Sequence, residues 1–229
     1  MERYTRFARY YDRLSGEFVY RAGRRAGVTD LGLRPGDRVL DLGCGTGLNL
    51  PLLRNAVNAG AAGGDDGRIV GLDRSDAMLE VARRTAVRNR WPGVTFVRAD
   101  ATVRDLLDCH RDVLRPGSFD AAIASYALSL MPHWQRAFTA MLSLVRDGGR
   151  ICVVDMQLPT ESGWILGSAI LRPAARLACR LGGADIEARP FLAVEQHTQN
   201  VVARSLRAGH IQVRTGTVRH DPAHPDRDC

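Results

Sequence analysis

The stretch Val39-Leu-Asp-Leu-Gly-Cys-Gly-Thr-Gly47 decides the fold of this chain. Its first residues form a short, mostly apolar run that predicts a buried strand, and the glycines then lead into a helix-length segment. Glycines at such a turn allow a tight bend and let a ligand lie against bare backbone. The spacing is G-x-G-x-G, not the G-x-G-x-x-G of dinucleotide loops, and Asp41 precedes the first glycine by two residues. A carboxylate there would repel a pyrophosphate but would suit an ammonium group.

Working outward, short apolar runs alternate with helix-length segments such as Ala77–Asn89 and His133–Val145. The further predicted strands are Arg68–Asp73, Val94–Asp100, Phe119–Ala124 and Arg150–Asp155. This alternation predicts an α/β fold: a Rossmann-like, doubly wound, mainly parallel sheet with helices on both faces. Beyond the fifth strand only His210–Arg219 has a clear strand pattern. We therefore expect the closing strand hairpin to be short or incomplete.

Two more acidic residues stand where predicted strands end. Asp73 closes the second strand and Asp100 closes the third. Because parallel strands end at a common edge of the sheet, these two acids and Asp41 should lie along that edge, where open α/β sheets bind ligands. A carboxylate at the position of Asp73 can accept both hydroxyls of a ribose, and Asp100 is placed to receive the exocyclic amine of an adenine. The pattern favours an adenosine-bearing ligand with an ammonium group.

Five motifs in this order resemble the class I S-adenosylmethionine-dependent methyltransferases, over about residues 33–156. The motifs are Asp41–Gly47, Gly71–Leu79, Ala99–Ala101, Phe119–Ser125 and Val145–Arg150. A closer resemblance, to the phospholipid and ubiquinone/menaquinone-type small-molecule methyltransferases, rests on Tyr10–Leu14 and Gly47–Leu52. It implies one domain, with an N-terminal helical cap (1–32), a cofactor-binding core (33–156), a helical acceptor or lid region (157–208), and a final strand and tail (209–229).

The resemblance implies S-adenosylmethionine as cofactor and S-adenosylhomocysteine as product. Asp41 and the glycine loop would hold the methionine moiety, Asp73 the ribose, and Asp100 the adenine amine. Met78 would pack on the adenine, and Tyr11 would belong to a lid over the pocket. The full expected cofactor set is Asp41, Gly43, Cys44, Gly45, Gly47, Asp73, Arg74, Met78, Asp100, Ala101, Ser125 and Tyr11. We expect no metal site.

Methyl transfer is an in-line displacement, so the protein chiefly has to align the acceptor and exclude water. The segment that follows the fourth strand, residues 125–134, should face the transferred methyl group. Within it, Tyr126 could orient an acceptor or lie against the sulfonium as an aromatic partner for a cation. His133 is the imidazole nearest this pocket, and it is either a general base or a histidine at the start of a helix. These two residues are the candidate catalytic residues.

Several functions share this pattern. The leading hypothesis is transfer of a methyl group from S-adenosylmethionine to a small-molecule or lipid acceptor. Transfer of the aminocarboxypropyl arm of the same cofactor, and a non-catalytic cofactor-binding module, remain alternatives. The loop spacing and Asp41 disfavour a nicotinamide dehydrogenase. A base-modifying enzyme is disfavoured because Ser125-Tyr-Ala-Leu128 stands where such enzymes often carry an Asn/Asp-Pro-Pro-Tyr motif.

The composition limits partners and location. The 229 residues include 32 arginines, no lysine and 25 acids, for a net charge of +7. The arginines are spread along the chain, so no nucleic-acid partner is expected. Arg172, Arg176 and Arg180 fall on one predicted helix face, which could contact an anionic membrane or simply be solvated. Without a long apolar run, an apolar leader or paired cysteines, the sequence predicts a cytoplasmic location, peripheral to a membrane at most. Its oligomeric state is left open.

Overall fold

A computed structural model describes residues 17–58, 67–157, 185 and 187–220. The helices in these ranges are α1 (Glu17–Leu31), α2 (Leu50–Val57), α3 (Asp76–Arg88), α4 (Leu106–Cys109), α5 (Trp134–Leu144) and α6 (Leu192–His197). The strands are β1 (Arg38–Leu42), β2 (Arg68–Asp73), β3 (Val94–Arg98), β4 (Phe119–Ser125), β5 (Val145–Met156), β6 (Gln199–Leu206) and β7 (Ile211–Thr217). A short 3₁₀ turn, Leu128–Leu130, follows β4.

The seven strands form one sheet in the order β3-β2-β1-β4-β5-β7-β6. The first five strands of this order are parallel, whereas β7 pairs antiparallel with both β5 and β6. The sequence order reverses between β1 and β4, so the loops that leave these strands diverge and open a crevice at the edge where the strands end, here called the carboxyl edge. The predicted α/β, Rossmann-like, doubly wound architecture is confirmed.

The central strands are buried because helices cover both faces of the sheet. Successive residues of β1 show this: Val39 and Leu40 are both fully buried but belong to two different apolar clusters. Val39 packs with Ile69 and Ile123, among others, on one face. Leu40 belongs to the cluster on the other face. This two-sided burial explains why the strands read as apolar runs.

The closing hairpin is complete, which corrects our expectation. Strand β6 has eight residues and β7 has seven, and Gly216 lies within the ladder opposite Ile151. The expected helical region 157–208 is therefore wrong for Gln199–Leu206, which is a strand. Because β6 is the outer strand and most of its residues are exposed, its sequence lacks the apolar alternation that reveals a strand.

Helix α1 packs across β5 and β7 through closely approaching glycines. A Cβ placed on Gly27 would lie 2.8 Å from a methyl carbon of Val154, so this helix lies directly on the sheet. Its far end is bound to the hairpin, since Arg204 of β6 donates to both carboxylate oxygens of Asp30 at 2.6 and 2.7 Å. Strands of the sheet, including the late strand β6, thus hold α1 in place.

Some of the residues named in the sequence analysis lie outside the described ranges. They are Tyr11, Arg172, Arg176, Arg180 and the tail 221–229. Within those ranges, no helix combines the length and apolarity needed to cross a bilayer.

Candidate active site

The glycine loop joins β1 to α2 at the carboxyl edge. Gly43, Gly45 and Gly47 have φ angles of 70°, 55° and 84°, in the left-handed backbone region that residues other than glycine rarely adopt. The N–H groups of Gly43 and Cys44 both donate to the carbonyl of Leu72, at 2.8 and 3.0 Å. The loop is therefore hydrogen-bonded to the end of β2, at the residue that precedes Asp73.

The three glycines serve different needs. A Cβ on Gly43 would lie 2.4 Å from the Cβ of Ala127, and one on Gly47 would lie 2.6 Å from Cδ1 of Leu50. Packing within the protein therefore requires both of these glycines. A Cβ on Gly45 would meet nothing within 4 Å. The open space beside Gly45 is the place where a ligand can approach the bare backbone.

Asp41 is fully buried at the carboxyl edge, and its carboxylate is only partly satisfied. Nδ2 of Asn49 donates to Oδ1 of Asp41 at 2.8 Å, while Oδ2 of Asp41 and Oδ1 of Asn49 have no hydrogen-bond partner among the described residues. Burial raises the pKa of Asp41 to about 7, although the bond from Asn49 and the charge of Arg24 lower it. Two buried acceptors without donors fit a ligand that brings a cation with several N–H groups.

Asp73 links the glycine loop to the start of α3. Its Oδ2 accepts the N–H of Gly45 at 2.9 Å, and its Oδ1 accepts the N–H of Ser75 at 2.8 Å. Burial raises the pKa of Asp73, and these backbone hydrogen bonds oppose that rise. Each carboxylate oxygen can accept a further hydrogen bond, so both can still receive hydroxyl groups.

Asp100 lies in the loop after β3, where it is partly exposed. Its Oδ1 accepts both the N–H and the hydroxyl of Thr102, at 2.9 and 2.6 Å. Burial would raise the pKa of Asp100, but these hydrogen bonds and the charge of Arg74 outweigh it, and the pKa is lowered. Its other oxygen has no protein donor among the described residues. Met78 of α3 and Ala101 of this loop are both buried.

Two polar residues of this site were missed by the sequence analysis. Asn49 is buried and bridges Asp41 to Ser125, whose hydroxyl oxygen accepts Nδ2 at 3.3 Å. Arg24 of α1 is buried too, and its guanidinium carbon lies 5.3 Å from the ring centre of Tyr126. The signal for Asn49 was a polar residue between two leucines directly after the loop. Arg24 had no comparable signal, since it comes from a distant helix.

Tyr126 follows β4 with a φ of 54°, a strained conformation for a side chain of this size. Its hydroxyl donates to the carbonyl of Tyr20 at 2.9 Å, so the ring lies against α1. His133 is exposed and stands just before α5, without a capping hydrogen bond from its side chain. Among the described residues, no hydrogen bond or ion pair joins the ring of His133 to Tyr126 or to the three acids.

A further buried acid, Asp155, holds the turn after β4. Its two carboxylate oxygens accept the hydroxyl and the N–H of Ser129, at 2.7 and 3.1 Å, and Oδ1 also accepts the N–H of Met156. Burial raises the pKa of Asp155 to about 6, against the effect of these hydrogen bonds. The turn that should face an acceptor is thus tied to the end of β5.

The sheet has seven strands and a closing antiparallel hairpin, a glycine loop follows β1, and acids stand at the ends of β1 to β3. These features together define the class I S-adenosylmethionine-dependent methyltransferase fold. The chain belongs to a methyltransferase-domain family, whose sequence model matches residues 33–182.

Two curated relatives are named as methyltransferases, and a solved structure has the same fold. The demethylmenaquinone methyltransferase of Beutenbergia cavernae is 35% identical over 140 residues, 61% of this chain and 49% of that protein. The ubiquinone/menaquinone biosynthesis C-methyltransferase of Ectopseudomonas mendocina is 33% identical over 149 residues, 65% and 52% of the two chains. The chain spans about half the length of these relatives. Phosphoethanolamine N-methyltransferase 2 of Haemonchus contortus, in complex with S-adenosyl-L-methionine, has a TM-score of 0.62 at 13% identity, covering 93% and 60%, which shows the fold.

Proposed function

We propose that this chain binds S-adenosylmethionine at the carboxyl edge and transfers its methyl group to a small-molecule acceptor. The observation that carries the proposal is the pair of buried acceptors, Oδ2 of Asp41 in β1 and Oδ1 of Asn49 at the start of α2, on the strand and the helix that the glycine loop joins. An α-ammonium group would satisfy both acceptors, and its charge would offset the cost of a buried carboxylate. A dinucleotide phosphate would be repelled at the same place.

The remaining cofactor roles follow the strand order. Asp73 is proposed to hold the ribose hydroxyls with Arg74 beside it, and Asp100 with Ala101 to hold the adenine amine. Met78 would pack on the adenine, while Cys44 would contribute its backbone, because its side chain is buried. Ser125 would complete the pocket near Asn49. Tyr11 stays a proposed lid residue.

When bound, the cofactor supplies a methyl group already activated by the positive sulfur. The contribution of this chain is therefore to bind, to orient and to exclude water. The 3₁₀ turn Leu128–Leu130 is held by Asp155, so it offers a fixed wall toward an acceptor. Tyr126 is proposed to shape this wall rather than to move a proton, because its hydroxyl donates to the backbone of α1. His133 remains the candidate base for a hydroxylated acceptor.

A quinone-type ring is the acceptor class that we propose first. The names of the curated relatives support it, since they describe methylation in menaquinone and ubiquinone biosynthesis. An apolar acceptor of this kind resides in membranes, so we also propose a cytoplasmic location with peripheral membrane contact through Arg172, Arg176 and Arg180. The two alternatives, aminocarboxypropyl transfer and a non-catalytic module, are less well supported than methyl transfer, because the relatives are named as methyltransferases.

The test is turnover with a defined acceptor. The purified chain would be incubated with S-adenosylmethionine and a reduced, prenylated naphthoquinone that lacks the ring methyl group, and the product would be weighed by mass spectrometry. We expect a mass gain of one CH₂ unit and the formation of S-adenosylhomocysteine. The Asp41→Asn variant should lose cofactor binding, whereas Asp112→Asn, at the opposite edge of the sheet, should retain it. Gain of the larger aminocarboxypropyl mass, or tight cofactor binding without any turnover across quinol acceptors, would contradict methyl transfer to this class.

A further inference from the structure

A cavity lies at the end of the sheet opposite the glycine loop, where β1 and β2 begin, here called the amino edge. Its volume is about 600 Å³. Its lining includes three arginines and one acid: Arg38, Arg68, Arg115 and Asp112. Arg38 and Arg68 are the first residues of their strands, whereas Asp41 and Asp73 lie toward the ends. At about 3.3 Å per residue, the strands keep Arg38 and Arg68 roughly 10 Å or more from Asp41 and Asp73.

Arg38 is fixed at the base of this cavity. Its guanidinium donates to the carbonyl of Val113 at 2.6 Å and to the hydroxyl of Ser118 at 3.3 Å, and it lies 4.4 Å above the ring centre of Phe119. The two hydrogen bonds use two of its five N–H donors, and neither acceptor is a carboxylate. The side chain is therefore held in one position while donors remain available.

The cavity also has an excess of positive charge. Burial lowers the pKa of Arg38, and the neighbouring charges of Arg68 and Arg115 lower it further, against the opposing charge of Asp120, so Arg38 is repelled by both other arginines. Among the described residues, none of the three forms an ion pair with a carboxylate. Asp112 is the one acid of the lining, and Asp120 is occupied by the backbone of Arg38 and the guanidinium of Arg146.

We propose that this arginine cavity binds a phosphate-bearing anion with at least two negative charges. Guanidiniums pair with phosphate oxygens through parallel N–H donors, and such an anion would relieve the repulsion that Arg38 receives from Arg68 and Arg115. Ile69, Val70 and Pro92 line the same cavity, and its volume leaves room for an organic group attached to the phosphate. This site is separate from the carboxyl edge and does not depend on the proposed methyl transfer.

The first experiment uses pyrophosphate as probe, titrated calorimetrically at low ionic strength. The Arg68→Gln/Arg115→Gln double variant removes two exposed side chains but leaves Arg38, whose contacts serve the fold. The matched control is Arg21→Gln/Arg25→Gln, which removes two exposed arginines of α1 that do not line the cavity. We expect the cavity variant to weaken pyrophosphate binding by at least about tenfold, with the control close to wild type.

Two further measurements keep the result interpretable. S-adenosylhomocysteine binding and the circular dichroism spectrum should be unchanged in the cavity variant, which shows that it is folded. Co-sedimentation with phosphatidate-containing vesicles, compared with phosphatidylcholine alone, separates the sources of the phosphate: vesicle binding lost in the cavity variant identifies a lipid headgroup, and pyrophosphate binding without vesicle binding identifies a soluble phosphate compound. Failure of the wild type to bind pyrophosphate, or equal affinities in the cavity variant and the control, would overturn the proposal.

Discussion

Nδ2 of Asn49 lies 2.8 Å from Oδ1 of Asp41, and this is the hydrogen bond that the buried carboxylate receives from the described residues. One donor is too little for a group cut off from water, so the pKa of Asp41 rises to about 7. The carboxyl group therefore changes its ionisation within the physiological pH range. A ligand that brings a positive charge to this pair must draw the group into its ionised form.

The first prediction concerns the pH dependence of cofactor binding. Because a bound ammonium group requires ionised Asp41, the affinity for S-adenosylhomocysteine should fall as the pH drops below about 7, approaching about tenfold per pH unit. Binding should release a proton over the same range. Calorimetry in buffers with different heats of ionisation measures both quantities. An affinity that stays flat from pH 5 to pH 8 would contradict the proposed role of Asp41.

The second prediction concerns Asn49 itself. Its hydrogen bond lowers the pKa of Asp41, so the Asn49→Ala variant should raise that pKa and move the pH profile of cofactor binding upward. Asn89→Ala is the matched control, because Nδ2 of Asn89 bonds only to the backbone at the exposed end of α3 among the described residues. If both variants keep the wild-type midpoint, Asn49 does not act through Asp41.

The third prediction separates ligand contact from backbone strain. Gly45 and Gly36 both have positive φ angles, 55° and 89°, and a Cβ on either would meet no protein atom within 4 Å. Each Gly→Ala change should therefore cost about 1 kcal/mol of unfolding free energy. Only Gly45→Ala should also weaken S-adenosylhomocysteine binding, by about tenfold or more, because the added Cβ would block the approach of the ligand to the backbone. Equal affinities in the two variants would show that the space beside Gly45 is not the ligand site.

The fourth prediction concerns the bond between Ser129 and Asp155. Above a pH of about 6, Asp155 is ionised, and the hydroxyl of Ser129 donates to a charged oxygen. Ser129→Ala should then lower the unfolding free energy by about 1.5–3 kcal/mol. The loss should shrink as the pH falls through the pKa, since the bond favours the ionised form that protonation removes. The control is Ser143→Ala, which breaks a hydrogen bond to a neutral carbonyl and should lower the unfolding free energy less, with no such pH dependence. Urea denaturation at several pH values measures the unfolding free energy of both variants.

The strands and the acids that end them were predictable because burial on both faces makes each central strand an apolar run, and the glycine loop marks the first of them. β2 matched the expected bounds of Arg68–Asp73, for example. β6 was not predictable, because an exposed outer strand needs no apolar pattern. Arg24 was equally hidden: its place near Asp41 depends on how α1 lies across the sheet, which no local spacing encodes.

The order of the last strands has a consequence for how the chain is made. β7 lies between β5 and β6 in the sheet, although it follows β6 in the sequence. During synthesis, β6 therefore leaves the ribosome with no strand beside which it can pair, and it stays unpaired until residues 211–217 have also emerged. Arg204 can reach Asp30 only after that step. Helix α1 thus receives this anchor only after both strands of the hairpin have been translated.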